Sequence, residues 1–162
     1  MVRLLLSIKA DLENVTGLIP ASDSFEYFFE VKCTSCNEIH PKYVGLNRLE
    51  EKEVAGGKGS TANFVWRCGL CKRESSAKFE AAHPPQAYQA DSSGQFAPLV
   101  TIECRGLEFT SFDPRGTWKC VGAESGTHFD EVEFEGGEWV DYDEKAALPV
   151  SVMNLESKWG RA

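Results

Sequence analysis

Apolar and polar residues alternate along this chain in short runs, and turn-forming residues interrupt the runs at close intervals. In the segment Phe25 to Cys33, the side chains of Phe25, Tyr27, Phe29, Val31 and Cys33 share one face of an extended backbone. Glu26, Phe28, Glu30 and Lys32 share the other. Comparable patterns predict strands at 3–10, 25–33, 42–49, 61–68, 74–81, 97–104, 116–121, 127–135 and 148–156. Breakers separate them: Gly17 to Pro20, Gly56 to Gly59, Pro84-Pro85, Ser92 to Gly94, Pro114 to Gly116 and Gly136-Gly137. The 3.6-residue helical period is scarce, so any helix should be short. Many short strands with frequent turns predict an all-β fold of sandwich or barrel-like form.

An internal echo refines this picture. Ile8 to Pro20 and Ile102 to Pro114 each span thirteen residues, contain a Leu-Glu pair (Leu12-Glu13, Leu107-Glu108) and lead into an aromatic strand. The echo suggests two related β halves within one compact unit. Residues 1–82 form the first half and 95–162 the second, joined by a connection at about 83–94 containing His83, Pro84, Pro85 and Gly94.

Composition sets the surroundings. Hydrophobic residues make up 42% of the chain, enough for a core. No stretch approaches the roughly 18–20 apolar residues of a membrane span. The leucine run at Leu4 to Leu6 is ended by Lys9, Asp11 and Glu13, which argues against a secretory signal and predicts a cytoplasmic protein, with the nucleus a second compartment. Thiols stay reduced there, which directs the six cysteines toward metal and away from disulfides. Charge is divided unevenly. Residues 1–80 balance 11 basic against 11 acidic side chains, so the net −8 belongs to the remainder. Asp130, Glu131, Glu133, Glu135, Glu138, Asp141, Asp143 and Glu144 crowd into fifteen residues. Such a surface repels phosphate backbones, disfavours nucleic acid and suits a basic protein partner.

The strongest chemical signal is a pair of Cys-x-x-Cys turns, Cys33-Thr34-Ser35-Cys36 and Cys68-Gly69-Leu70-Cys71. Each turn aims two sulfurs at one point, and two turns together make a tetrahedral four-thiolate cage, the preferred site of structural Zn²⁺. One ion held by Cys33, Cys36, Cys68 and Cys71 is therefore predicted, as a zinc-knuckle pair in the N-terminal half. Lys32, Lys42, Arg67, Lys72 and Arg73 lie nearby in sequence to offset the cage's charge. Redox use of these thiols would want a helix N-terminus, and Pro41 stands in its way. The 31 residues between the pairs leave room for an added hairpin, Tyr43 to Val54. Gly56 to Ser60 reads as a tight turn, because the spacing and following helix of a phosphate loop are missing. Cys104 and Cys120 read as buried thiols. A nucleophilic Cys120/His128 pair oriented by Asp130 is the weaker alternative. Glu124 to Thr127 and Asp141 to Lys145 read as polar loops.

Taken in order, several motifs make the chain recognisable. They are Cys-x-x-Cys with Glu38, Gly56 to Ser60, Cys68 to Glu74, Glu103 to Glu108, Glu124 to Phe129 and Trp139 to Lys145. Together they resemble the eukaryotic CXXC-motif-containing zinc-binding proteins, a family of uncharacterised function. The resemblance spans nearly the whole chain. It implies zinc on Cys33, Cys36, Cys68 and Cys71, an all-β fold and no established enzymatic activity. The expected function is thus a non-enzymatic binding or adaptor module, with zinc or copper transfer as the alternative. A thiol-dependent enzyme and RNA binding around the knuckles rank below both.

Overall fold

A computed structural model of the chain describes residues 1–54 and 59–162. Most of the turn expected at Gly56 to Ser60 lies outside these described residues. Among these described residues fourteen strands follow one another: β1 (Val2–Glu13), β2 (Val15–Pro20), β3 (Tyr27–Cys33), β4 (Val44–Leu46), β5 (Lys52–Glu53), β6 (Thr61–Ala62), β7 (Phe64–Arg67), β8 (Glu74–Phe79), β9 (Ala97–Arg105), β10 (Leu107–Asp113), β11 (Trp118–Gly122), β12 (His128–Val132), β13 (Trp139–Asp143) and β14 (Leu148–Arg161). The described helical content is a single turn at Ala90–Ser92, and among the described residues no helix is long and apolar enough to cross a membrane. The fold is all-β, as the alternating pattern predicts.

The strand order is symmetric. One six-stranded sheet runs β13-β14-β1-β9-β8-β7, and two three-stranded sheets run β10-β3-β4 and β12-β11-β2. Exchanging β1 with β9, β8 with β14 and β7 with β13 maps the large sheet onto itself. The same exchange, with β2 for β10, β3 for β11 and β4 for β12, maps one small sheet onto the other. The repeats, β1–β8 and β9–β14, are interleaved: β1 pairs with β14 and β9, and β10 pairs with β3. Each repeat turns a corner at one left-handed residue, Asn14 (φ 58°) between β1 and β2 and Gly106 (φ 80°) between β9 and β10. The Leu-Glu pairs do not mark equivalent places: Leu12-Glu13 end β1 before its corner, whereas Leu107-Glu108 open β10 after the other.

One continuous core joins the sheets. The inward faces of the strands supply it, with Phe25, Tyr27, Phe29, Val31 and Cys33 all buried. Tyr27 stacks near Phe79 of β8 (5.2 Å between ring centroids) and Phe29 near Trp159 of β14 (4.8 Å), which ties β3 to strands of both repeats. Trp118, 0% exposed, packs against Phe25 and Phe134.

Three predicted boundaries need correction. Gly17 to Pro20 is not a breaker but part of β2, because the run Val15, Leu18 and Pro20 is buried and pairs with β11. Residues 107–113 form β10, where no strand is expected. Asp141 to Lys145 is not wholly loop: 139–143 are β13, ordered by pairing with the long strand β14. The Tyr43 to Val54 hairpin is also absent as such, since β4 pairs with β3 and β5 with β6.

Candidate metal centre

Each Cys-x-x-Cys turn follows directly from the end of a strand, β3 for Cys33 and β7 for Cys68. Both turns close with the same backbone hydrogen bonds. In the first, the Cys33 N–H donates to the Glu38 carbonyl (2.9 Å) and the Asn37 N–H to the Cys33 carbonyl (2.8 Å). In the second, the Cys68 N–H donates to Arg73 and the Lys72 N–H to Cys68, each at 3.0 Å. The fifth residue of each turn is left-handed, Asn37 at φ 64° and Lys72 at φ 65°. Asparagine tolerates this conformation well; lysine does so at a cost. Lys72 recovers a bond there, its Nζ donating to the Gly69 carbonyl (2.7 Å).

The two turns face each other. Cys33 Sγ lies 3.6 Å from Cys71 Sγ, Cys36 Sγ lies 3.6 Å from Cys68 Sγ, and all four sulfurs fall within 4.8 Å of one another. A tetrahedral ion with metal–sulfur bonds of about 2.3 Å requires sulfur separations of about 3.8 Å, so the cluster fits one metal ion. Cys33 and Cys68 are fully buried, whereas Cys36 and Cys71 are half-buried.

Electrostatics divide the cage in the same way. Burial pushes the Cys33 thiol up, but the N–H groups of Cys36 and Ser35 and the sulfurs of Cys71 and Cys36 outweigh it, leaving a pKa of about 7. Cys68 is lowered chiefly by the Cys71 N–H, against burial and with help from the Leu70 N–H and the sulfurs of Cys36 and Cys71. At Cys36 the Glu38 N–H lowers the value, yet burial and the three neighbouring sulfurs prevail and raise it to about 12. The inner pair thus takes up negative charge readily. A fourth thiolate becomes favourable only when a cation offsets the accumulated charge.

The remaining candidates separate from this site. Cys104 and Cys120 are buried, and their thiols are pushed up to about 12 by burial, with smaller contributions from Glu108 and from Asp130 and Asp141 respectively. Neither has the lowered pKa of a reactive thiol. Cys120 stands opposite Phe129 while His128 stands opposite Val121 and is exposed, so Cys120 and His128 do not form a pair. Of the basic residues near the knuckles, Lys32 turns to Glu108 (3.5 Å). Asp143 leaves the acidic surface: it is 1% exposed and accepts hydrogen bonds from the Ser125 and Thr127 hydroxyls and the Ala146 N–H. Sequence reasoning placed Asp143 and Ser125 in separate polar loops. No sequence signal joins them, since serine and aspartate are ordinary loop residues and the left-handed backbone of Ala147 leaves no mark in the sequence.

The family profile described as "CXXC motif containing zinc binding protein, eukaryotic" matches residues 5–160. A Xenopus laevis protein named CXXC motif containing zinc binding protein is 40% identical over 161 residues, covering 98% of each chain. The solved structure described as the crystal structure of C1orf123 superimposes with a TM-score of 0.93 at 32% identity, covering 99% of both chains. A hypothetical protein from Plasmodium falciparum shares the fold at a TM-score of 0.87 and 23% identity, covering 99% of this chain and 100% of that one.

Proposed function

Because the chain belongs to the eukaryotic family of CXXC motif containing zinc binding proteins, we propose that it holds one structural Zn²⁺ through Cys33, Cys36, Cys68 and Cys71 and acts as a non-enzymatic binding or adaptor module. The observation that carries the metal reading is the convergence of four sulfurs at tetrahedral spacing from two separate turns. The donor set is soft, closed and fully supplied by the protein, which favours a structural ion over a catalytic one with an open position. Bound zinc supplies the positive charge that lets all four thiols ionise together. The Cys33 and Cys68 side chains anchor the cage in the core, and the turn N–H groups orient their sulfurs. The same ties cross-link β3 and β7, which lie in different sheets.

The partner reading rests on β13. This strand ends the six-stranded sheet, so its outer edge has no neighbouring strand among the described residues. Val140 (70% exposed) and Tyr142 (51% exposed) stand bare on it, with Asp141, Glu138 and Glu144 exposed alongside. An open edge rimmed by acids and carrying two apolar side chains suits an extended, basic segment of a partner protein in the reducing cytoplasm. Affinity capture with the zinc-loaded protein tests this. Retention of a basic partner by the wild type, and its loss on neutralising Glu138, Asp141 and Glu144, is the expected result; equal retention contradicts it.

One observation favours a second reading, metal transfer. Cys68 borders a hollow of about 240 Å³ also lined by His40, Trp66 and Leu70, and Cys36 and Cys71 are only half-buried. Competition with a graded chelator separates the two: slow release supports the structural role, fast release transfer.

A further inference from the structure

The second repeat holds a knuckle pair of its own. The strand ends that carry Cys33 and Cys68 correspond, under the exchange of repeats, to the ends of β11 and β13, at Gly122 and Asp143. The turn after β11 repeats the hydrogen bonds of the cysteine turns. The Gly122 N–H donates to the Thr127 carbonyl (2.8 Å) and the Gly126 N–H to the Gly122 carbonyl (2.9 Å). Gly126 is left-handed at φ 71°, matching Asn37. After β13, Asp143 pairs with Leu148, and Ala147 is left-handed at φ 56°, matching Lys72.

The side chains coincide as well. Cys33 and Cys68 each accept N–H groups from the second and third residues that follow, and Asp143 accepts the N–H groups of Lys145 and Ala146 in the same relation. Ser125 bonds to Asp143 just as Cys36 meets Cys68 across the cage. A Cβ placed on Gly122 would fall directly against Asp143 Oδ2 and Ser125 Oγ, so position 122 points into this cluster. Its fourth corner is Ala146, the counterpart of Cys71.

We infer that Gly122, Ser125, Asp143 and Ala146 form a second four-cornered cage, equivalent to the cysteine cage, in which a hydrogen-bonded carboxylate occupies the place of the metal and its thiolates. Asp143 accepts from both flanking turns at once: from Ser125 and Thr127 on one side, and from Lys145 and Ala146 on the other. That closes the knuckles without a cation. Since β13 bears both Asp143 and the bare edge of Val140 and Tyr142, the partner surface stays formed whether or not metal is supplied. The cage geometry also remains latent in the backbone, so four cysteines at 122, 125, 143 and 146 would bind zinc.

The test is the fourfold variant G122C/S125C/D143C/A146C in the full chain. It is compared with the wild type and with a control carrying the cysteines one residue later, A123C/G126C/E144C/A147C. Each protein is loaded with zinc, freed of excess and weighed by native mass spectrometry. The expected result is one more ion in the fourfold variant than in wild type or control. No additional ion in the variant, or an equal gain in the control, overturns the inference. If the variant is unfolded without metal, folding on addition of two equivalents of zinc, followed by NMR, counts for it; a chain that stays unfolded counts against it. The inference borrows the cysteine cage as its template, but the arms separate. A wild type that retains no zinc overturns the proposed function, and the difference between variant and wild type still decides the latent site.

Discussion

The two knuckle pairs pose one structural problem and solve it differently. Both must bring two tight turns, each at the end of a strand, into contact across a break between sheets. The N-terminal pair gathers four sulfurs within 4.8 Å of one another, a donor set suited to a cation. The C-terminal pair uses one carboxylate that accepts hydrogen bonds from donors in both turns. The backbone scaffold is common to both, down to the left-handed residue at the same place in each turn. Only the cross-link differs. A β-turn scaffold therefore does not commit a protein to metal; four side chains do.

The largest contrast should come from deleting an inner ligand. Cys33→Ser or Cys68→Ser should abolish zinc retention and unfold the N-terminal knuckles. Structural zinc contributes on the order of 10–16 kcal/mol in small peptides, far more than any single contact in this fold. Metal analysis with calorimetry checks it, and full zinc-free stability of either variant counts against the structural role.

Core positions should respond alike in the two repeats. Phe29 and Trp118 stand at matching distances before Cys33 and Gly122, and both are 0% exposed. Phe29→Ala and Trp118→Ala should each cost about 3–5 kcal/mol in chemical denaturation. A loss confined to one of them would break the equivalence of the repeats.

The Asp143 staple should show a smaller, pH-dependent effect. The Ser125 hydroxyl foremost, with the Ala146 N–H, the Thr127 hydroxyl and the Lys145 N–H, outweighs burial and holds the Asp143 carboxyl below its ordinary 3.8. A depressed carboxyl stabilises the fold fully above the ordinary value and loses that contribution as pH falls through its lowered folded-state value. Asp143→Asn should therefore melt several degrees below wild type at neutral pH, with the gap closing below about pH 4. A gap that does not change with pH would leave the carboxylate's charge without a role.

The smallest effects belong to the left-handed turn residues. Gly126→Ala should cost about 1 kcal/mol, since a left-handed L-residue is strained by about 1–2 kcal/mol, while Lys72→Gly should be neutral or slightly stabilising in zinc-loaded protein. Thermal denaturation of the two variants side by side measures both.

What could be read in advance follows the same division. The alternation at Phe25 to Cys33 carries strand and core directly, because period two with one apolar face has few other solutions. The cysteine cage was legible because sulfur pairs at this spacing serve few other purposes. The second cage was not, because serine, aspartate, glycine and alanine are the ordinary vocabulary of loops. Tertiary pairing also overrode local signals. β13 is acidic and partly exposed, and it is a strand only because β14 is long enough to receive it. Gly17 interrupts β2 in sequence, but burial of Val15 and Leu18 keeps it paired.

Hydrogen exchange on the zinc-loaded protein before and after chelation tests the contrast between the two cages most directly. Removal of zinc should expose the amides of 33–38 and 68–73 to rapid exchange while those of 122–127 and 143–148 keep their protection. Equal loss at all four turns, or no loss at the cysteine turns, would contradict the account.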